Sequence, residues 1–426
     1  MRRILMVVTV AALGALPPPA AAQQVEVTLP EAIRRALEVQ PAMVQAEGNR
    51  HNAGAARRTA LGSFLPSVTA GGSVAKNSRQ RIDQNTGQVI PPIPNYSSSL
   101  SADVDLFTGF RRLAELKSSS ANVDAAGAGV VAQRFDVQLQ TKQAFYNALA
   151  TEELVRIAEA QVTRAGQQLR ISIDKLRAGS ATRSDSLRST VDFGTARIAL
   201  LQARANLATA QANLGRQIGV AQPVRAAPDS GLPPLPDTAS LRSSALESAP
   251  QVQQADAQAR AARAGAWSAR AQYMPMLNLS VGTNRRDTLF NGALTNNEVN
   301  NWRVGLTWTI FNGFSREQQQ VAARVARDVA DARAADTRRQ VNASLTQQLA
   351  ALATSYEQID IARANVAAAT EDLRVLQERY RVGVATILDL LTSQTSLTQA
   401  DVNLVQTRFN YLIARAQVEA LVGREL

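Results

Sequence analysis

The chain contains no cysteine, which excludes disulfides, thiolate metal sites, a cysteine nucleophile and a lipid-modified cysteine anchor together. It has a single histidine, His51, in a polar helical stretch, where a solvated side chain is the simple reading. One histidine offers no cluster for a metal, and no Gly-rich loop follows a strand pattern to cradle a phosphate. The expectation is of no catalytic, cofactor-binding or metal residues, and of a protein that is not an enzyme. Aromatics make up only 4%, and alanine supplies much of the apolar content, a composition suited to long helices. Long apolar runs are missing too. The most apolar, Ile4–Leu16, covers 13 residues, against the about 20 that a helical membrane span needs. Acid is the scarcer charge, 35 Asp and Glu against 46 Lys and Arg, for a formal +11. The basic residues are spread along helical stretches instead of gathered in a patch, so nucleic acid is not an expected partner.

What is present begins with an export signal. Arg2 and Arg3 precede the apolar run, and Ala20-Ala21-Ala22 follows as a small-residue cleavage site. Removal of residues 1–22 takes away two arginines and no acid, leaving +9. The mature chain is then exported and has no helical anchor.

The remainder is written twice. Leu106-Phe107-Thr108-Gly109-Phe110 returns 204 positions later as Ile310-Phe311-Asn312-Gly313-Phe314. Arg177-Ala178-Gly179-Ser180-Ala181-Thr182-Arg183-Ser184-Asp185 returns at the same offset as Arg381-Val382-Gly383-Val384-Ala385-Thr386-Ile387-Leu388-Asp389, and Gly219 returns as Gly423. Upstream, Pro41 matches Pro250 and Phe64-Leu65-Pro66 matches Tyr273-Met274-Pro275, both at an offset of 209. Two constant offsets mean a tandem duplication with one insertion between Pro66 and Gly109. Repeat 1 covers residues 23–220 and repeat 2 residues 240–426, joined by a Pro-rich linker over 221–239.

Within each repeat the hydrophobic period changes. Residues 31–62 have helical spacing, with Ala32, Ile33, Ala36 and Leu37, then Met43 and Val44, and Pro41 should bend that helix. Val68, Ala70, Gly72 and Val74 then alternate with Ser67, Thr69, Gly71 and Ser73. After a polar loop, Leu100, Ala102, Val104 and Leu106 alternate with Ser99, Ser101, Asp103 and Asp105. In repeat 2, Leu277, Leu279 and Val281 alternate with Asn278, Ser280 and Gly282. Trp302, Val304, Leu306, Trp308 and Ile310 alternate with Arg303, Gly305, Thr307 and Thr309. Period two over about ten residues, with one apolar and one polar face, marks transmembrane β-strands. The expected strands are 64–76, 97–107, 276–285 and 301–311, forming β-hairpins over 64–107 and 276–311. Trp302, Val304, Leu306 and Trp308 would face lipid, with one or both tryptophans at an interfacial girdle. Arg303, Thr307 and Asp103 would face the lumen.

Long helical stretches without proline follow, over 110–178 and 314–381, each roughly 100 Å at 1.5 Å per residue. Each ends at an Arg-x-Gly turn, where glycine terminates helices, and a return helix runs over 183–218 or 384–421. Helix 31–62 plus helix 183–218 equals one long helix in length. The two short helices would therefore lie end to end beside it, with the linker as a belt at their junction. Four strands per chain cannot close a barrel, which needs at least about eight, and open edges are not tolerated in lipid. The barrel must be shared between chains; parity allows a dimer, a trimer or more.

The signal segment, the duplicated helix–hairpin–long helix–return helix, the Leu/Ile-Phe-x-Gly-Phe junctions and the two Arg-x-Gly-x-x-Thr-x-x-Asp turns resemble the TolC family of outer-membrane efflux and secretion ducts, over residues 26–423. The resemblance implies a mainly α fold with a small β portion. It implies a homotrimer with a twelve-stranded barrel in outer-membrane lipid and a helical α-barrel extending into the periplasm. It also implies a passive duct docked to a periplasmic adaptor and driven by an inner-membrane pump of RND, ABC or MFS type, with no cofactor. The turns at Arg177, Gly179 and Thr182 and at Arg381, Gly383 and Thr386 become adaptor-docking tips. Asp389 matches an acidic position of the family's periplasmic aperture, whose second acid is Thr392 here. Tyr380 matches a tyrosine that ties the inner helix pair to an aspartate at Asp185. The arginine link has no counterpart, since that position is Ala385, so a less firmly latched closed state is implied.

Overall fold

The computed structural model describes residues 25–76, 81–82, 87, 89–90, 94–228, 231–290, 293–294 and 297–426; the export signal expected over 1–22 lies outside them. In chain order the elements are β1 (Val25–Val27), α1 (Leu29–Val39), α2 (Pro41–Gly62), β2 (Ser67–Lys76), β3 (Arg81–Ile82), β4 (Val89–Ile90) and β5 (Pro94–Phe107). Then follow α3 (Arg111–Arg177), α4 (Arg183–Gln217), β6 (Val224–Ala226), α5 (Thr238–Ser248), α6 (Pro250–Arg270), β7 (Met276–Phe290), β8 (Ala293–Leu294), β9 (Asn297–Thr307), α7 (Ser315–Arg381) and α8 (Ile387–Val422). The two long helices have 67 residues each. Pro41 does more than bend its helix. It starts a new one, with Gln40 extended at φ −68° and ψ 125°. Pro250 does the same after Ala249, at φ −56° and ψ 118°. Steric conflict with the proline ring keeps the preceding residue out of helical geometry.

Two compact units emerge. Among the described residues, one comprises those up to Ala36 with Gln140–Pro233 and Gln358–Asn410; the other comprises those within Leu37–Leu139, Pro234–Glu357 and Tyr411–Leu426. In the first, β1 pairs in parallel with β6, Val25 opposite Val224 and Val27 opposite Ala226. Phe145 and Tyr146 are buried, and Tyr146 packs against Phe409 at 6.4 Å between ring centroids. Towards the α7–α8 turn, Leu373, Tyr380, Ile387, Leu390 and Leu397 form a continuous apolar seam.

The second unit holds an antiparallel sheet in the order β2-β5-β7-β9. Its register makes the two faces explicit. Val68, Ala102, Val281 and Trp302 form one row across all four strands, and Val104, Leu279 and Val304 form the next row on that face. The opposite face carries Ser67, Asp103, Ser280 and Arg303 in one row and Thr69, Ser101, Gly282 and Asn301 in another. Thr69 and Ser101 share a 2.7 Å hydroxyl–hydroxyl hydrogen bond. The apolar face is uncovered, with Trp302 at 75% exposure and Leu306 at 71%. Among the described residues β2 and β9 are each paired on one side only.

Both strand-to-helix junctions use one device. Gly109 and Phe110 sit at φ 60° and 67°, Gly313 and Phe314 at 64° and 64°. A left-handed phenylalanine is strained, and edge-to-face contact with the preceding ring offsets part of that, Phe107 on Phe110 at 5.5 Å and Phe311 on Phe314 at 5.4 Å. Buried Arg112 lies over the Phe64 ring at 4.8 Å and donates to the Ser63 carbonyl at 2.9 Å. Its counterpart 204 positions on, buried Arg316, lies over Tyr273 at 4.7 Å and donates to the carbonyls of Thr309 (2.6 Å) and Ile310 (2.7 Å). β9 stops at Thr307, short of the expected 311, opposite Met276, the first residue of β7, which follows Pro275; proline has no N–H to extend the ladder. Trp308, beyond the strand end, donates its indole N–H to the Tyr273 carbonyl at 3.2 Å.

Candidate functional site

The two hairpin tips repeat in atomic detail. At the end of α3, Gly179 N–H donates to the Leu176 carbonyl at 3.1 Å and Ser180 N–H to the Lys175 carbonyl at 2.9 Å, with Gly179 at φ +72°. At the end of α7, Gly383 N–H donates to Tyr380 at 3.2 Å and Val384 N–H to Arg379 at 2.8 Å, with Gly383 at φ +84°. Both are Schellman terminations, in which the left-handed residue lets the chain return two orphan carbonyls to amide donors. The helix that follows starts with a capping box. Thr182 N–H and hydroxyl both donate to Asp185 Oδ2, at 2.9 and 2.8 Å, and Asp185 N–H donates back to Thr182 Oγ1 at 3.2 Å. In repeat 2, Thr386 N–H and hydroxyl donate to Asp389 Oδ2 at 3.0 and 2.7 Å, and Asp389 N–H returns to Thr386 Oγ1 at 3.2 Å. The Gly, Thr and Asp of the nine-residue motif are thus accounted for by one helix end and one helix start. The Thr-x-x-Asp signal for this was present in the sequence. The motif's arginines pair one turn back, Arg177 with Asp174 at 3.8 Å and Arg381 with Glu378 at 3.0 Å, on exposed surface, where such pairs contribute little.

The caps govern charge. Hydrogen bonds from the Thr182 backbone and then its hydroxyl hold Asp185 below the ordinary carboxylate value, and those from the Thr386 hydroxyl and then its backbone do the same for Asp389. Carboxylates with depressed folded-state pKa values stabilise fully above the unfolded value, 3.8. That contribution is lost as pH falls through the lower folded values. Acidification from about pH 5 to below the carboxylate range should therefore fray the first turns of α4 and α8. Amide-exchange protection at Asp185 and Asp389, corrected for intrinsic rates, should drop there, and Thr386→Val should lower it at Asp389 already at neutral pH. Unchanged protection through acidification would exclude the caps as the source.

Asp185 and Tyr380 line one cleft of about 440 Å³ with Lys175, Arg188, Thr386 and Leu388. The structure brings Tyr380 and Asp185 to that cleft, but no hydrogen bond joins them among the described residues. Tyr380, 7% exposed, is engaged by Lys175, whose ammonium donates to the Tyr380 carbonyl at 2.5 Å and lies 4.1 Å from the ring centroid. Nothing in the sequence singled out Lys175, because its partner lies 205 positions away. Thr392 donates its hydroxyl to the Leu388 carbonyl at 2.9 Å, one turn back within α8. Trp302, Val304 and Leu306 lie on the sheet's apolar face and Trp308 just past its edge strand. Among the described residues no group of three or more His, Asp or Glu side chains could hold a metal ion, and no helix is long and apolar enough to cross a membrane, which says nothing of a β-barrel.

Comparison with known proteins fits this geometry. The model of the family described as "Outer membrane efflux protein" matches residues 32–220 and 241–424, one match per repeat. Outer membrane efflux protein BepC of Brucella suis is 23% identical over 380 residues, covering 86% of this chain and 78% of that protein. Protein CyaE of Bordetella pertussis is 27% identical over 403 residues, covering 90% and 81%. The crystal structure of the outer membrane protein VceC from Vibrio cholerae superposes with a TM-score of 0.81 at 18% identity, over 93% of this chain and 96% of that one.

Proposed function

The chain belongs to the outer membrane efflux protein family, and we propose that it is the outer-membrane channel of a tripartite efflux or type I secretion system, a passive duct from periplasm to exterior. The observation that carries this reading is the sheet. Its apolar face is uncovered, its other face is polar, and both edges, β2 and β9, lack a second partner among the described residues. In lipid the edges must be satisfied. They are unlike, so pairing is head to tail between copies and closes into a ring. Three chains supply twelve strands and a polar lumen lined by Asp103, Arg303 and Thr307. We read no catalytic role, consistent with a family of channels.

The hairpin tips are the periplasmic ends. Arg177, Gly179 and Thr182 with Arg381, Gly383 and Thr386 present two preformed turns to a periplasmic adaptor, which links the duct to an inner-membrane pump. Asp389, Asp185, Tyr380 and Thr392 surround the entrance. Three Asp389 carboxylates around one axis attract cations, and the hydrogen bonds from Thr386 favour the charged form of each.

Reconstitution into planar bilayers tests the reading. The purified protein should conduct ions and run as a trimer; a helical rod of the same mass without a lumen gives no conductance and would end the proposal. Asp389→Asn, which removes the charge with less damage to the cap than alanine, should weaken block by multivalent cations. Block identical to wild type would move the entrance charge elsewhere.

A further inference from the structure

The resemblance leaves the hairpin tips with one link missing, since Ala385 stands where an arginine would be. The structure supplies a different link. Lys175, in the last turn of α3, reaches Tyr380, in the last turn of α7. Its ammonium makes two contacts at once, the 2.5 Å hydrogen bond to the Tyr380 carbonyl and the 4.1 Å approach to the ring centroid. The carbonyl is one of the final ones of α7, where the helix dipole is negative and a cation is favoured. The ring faces an ammonium through its quadrupole. Burial of Tyr380 against Leu373, Ile387, Leu390 and Leu397 fixes the ring that the lysine grips. The repeat makes the contact one-directional. The residues 204 positions from this pair are Arg379 and Leu176, and leucine offers no ring, so the tie exists once per chain and runs from repeat 1 to repeat 2.

We propose that Lys175 is a positioning residue of the entrance, holding the two hairpin tips of one chain together through the carbonyl and ring face of Tyr380. The Tyr380 hydroxyl has no part in it. The consequence for transport rests on reading the tips as the entrance; the tie itself does not. A pump or adaptor that spreads the hairpins has to break this contact.

The chain has no cysteine, so two introduced ones are unique. Ser180→Cys and Val384→Cys, both on exposed turn residues, place a spin label on each tip. Full-length protein, diluted with unlabelled subunits, gives the tip-to-tip distance within one chain. The expected result is a narrow distribution in wild type and a broader, longer one in Lys175→Met and in Tyr380→Leu. Lys175→Arg and Tyr380→Phe, which keep the cation and the ring, should stay narrow. A wild-type distribution in Lys175→Met overturns the tie, and so does a Tyr380→Phe distribution as broad as that of Tyr380→Leu, which would return the role to the hydroxyl. Bilayer recordings of the same variants separate the two levels. A Lys175→Met null beside an Asp389→Asn variant with altered cation block removes the tie and leaves the entrance reading. Broadened distances with conductance and block unchanged in every variant keep the tie and remove that reading.

Discussion

Proline at either tip glycine should abolish export while leaving the protein in the outer membrane at its usual level. Gly179 and Gly383 hold φ of +72° and +84°, and the proline ring locks φ near about −65°. Both glycines also donate their N–H to a helix-end carbonyl, Leu176 or Tyr380, and proline has no such donor. Gly179→Pro or Gly383→Pro therefore unmakes the Schellman turn from two sides and shifts the capping threonine three residues on. Neither glycine belongs to the sheet, so membrane insertion should be unaffected. Alanine gives a graded comparison. The space around both positions is open, so Gly383→Ala meets only the left-handed backbone strain, about 1–2 kcal/mol, and should keep much of its activity. The measurement is substrate resistance or secretion with the cognate pump as the sole route, alongside SDS-resistant trimers. Normal export from both proline variants would remove the tips from adaptor docking.

Arginine on the apolar face of the sheet should block assembly according to depth. Val304 lies within a row with Leu279 and Val104, and Val304→Arg at mid-bilayer should cost about 2–4 kcal/mol per chain, three times over in a trimer. Leu306, one residue from the end of β9, lies closer to the interface, and Leu306→Arg should cost less, toward about 0–1 kcal/mol. Asn301→Arg, on the polar face opposite Gly282, should insert as wild type. Urea titration of barrels folded into vesicles gives the ranking. If Asn301→Arg were the worst of the three, the two faces would have been assigned the wrong way round.

The hairpin tips and the two faces of the sheet are the parts of the molecule that the sequence displays most openly. Period-two alternation at Val68–Val74 and Trp302–Ile310, and the repeat at a constant offset, are local or one-dimensional signals. The family match over both repeats and the TolC-like fold agree with what the resemblance implied. Four features were harder to read. β9 ends at Thr307, opposite the first residue of β7, Met276, and the carbonyls of Thr309 and Ile310, which the pattern treats as strand, accept from Arg316 instead. The start of α8 at Ile387 instead of residue 384 follows from Thr386 acting as a cap. Thr182 and Asp185, like Thr386 and Asp389, are docking and aperture residues by resemblance, and each pair also caps the start of a helix. The fourth is Lys175, whose contact joins residues far apart in sequence and of types, lysine and tyrosine, that carry no motif.

The unlike edges of the sheet give the duplication a physical meaning. Inside the chain, β5 of repeat 1 pairs with β7 of repeat 2, and this seam comes with the covalent connection. Between chains, β9 would meet β2 of the next copy, and that seam must be found by diffusion. A ring of six single repeats would have six such encounters to complete, each with its loss of translational and rotational freedom. A ring of three double repeats has half as many, because every second seam closes at the high effective concentration of a tether. What the duplicated chain gains is a shorter interval during which bare strand edges stand open to the wrong neighbour.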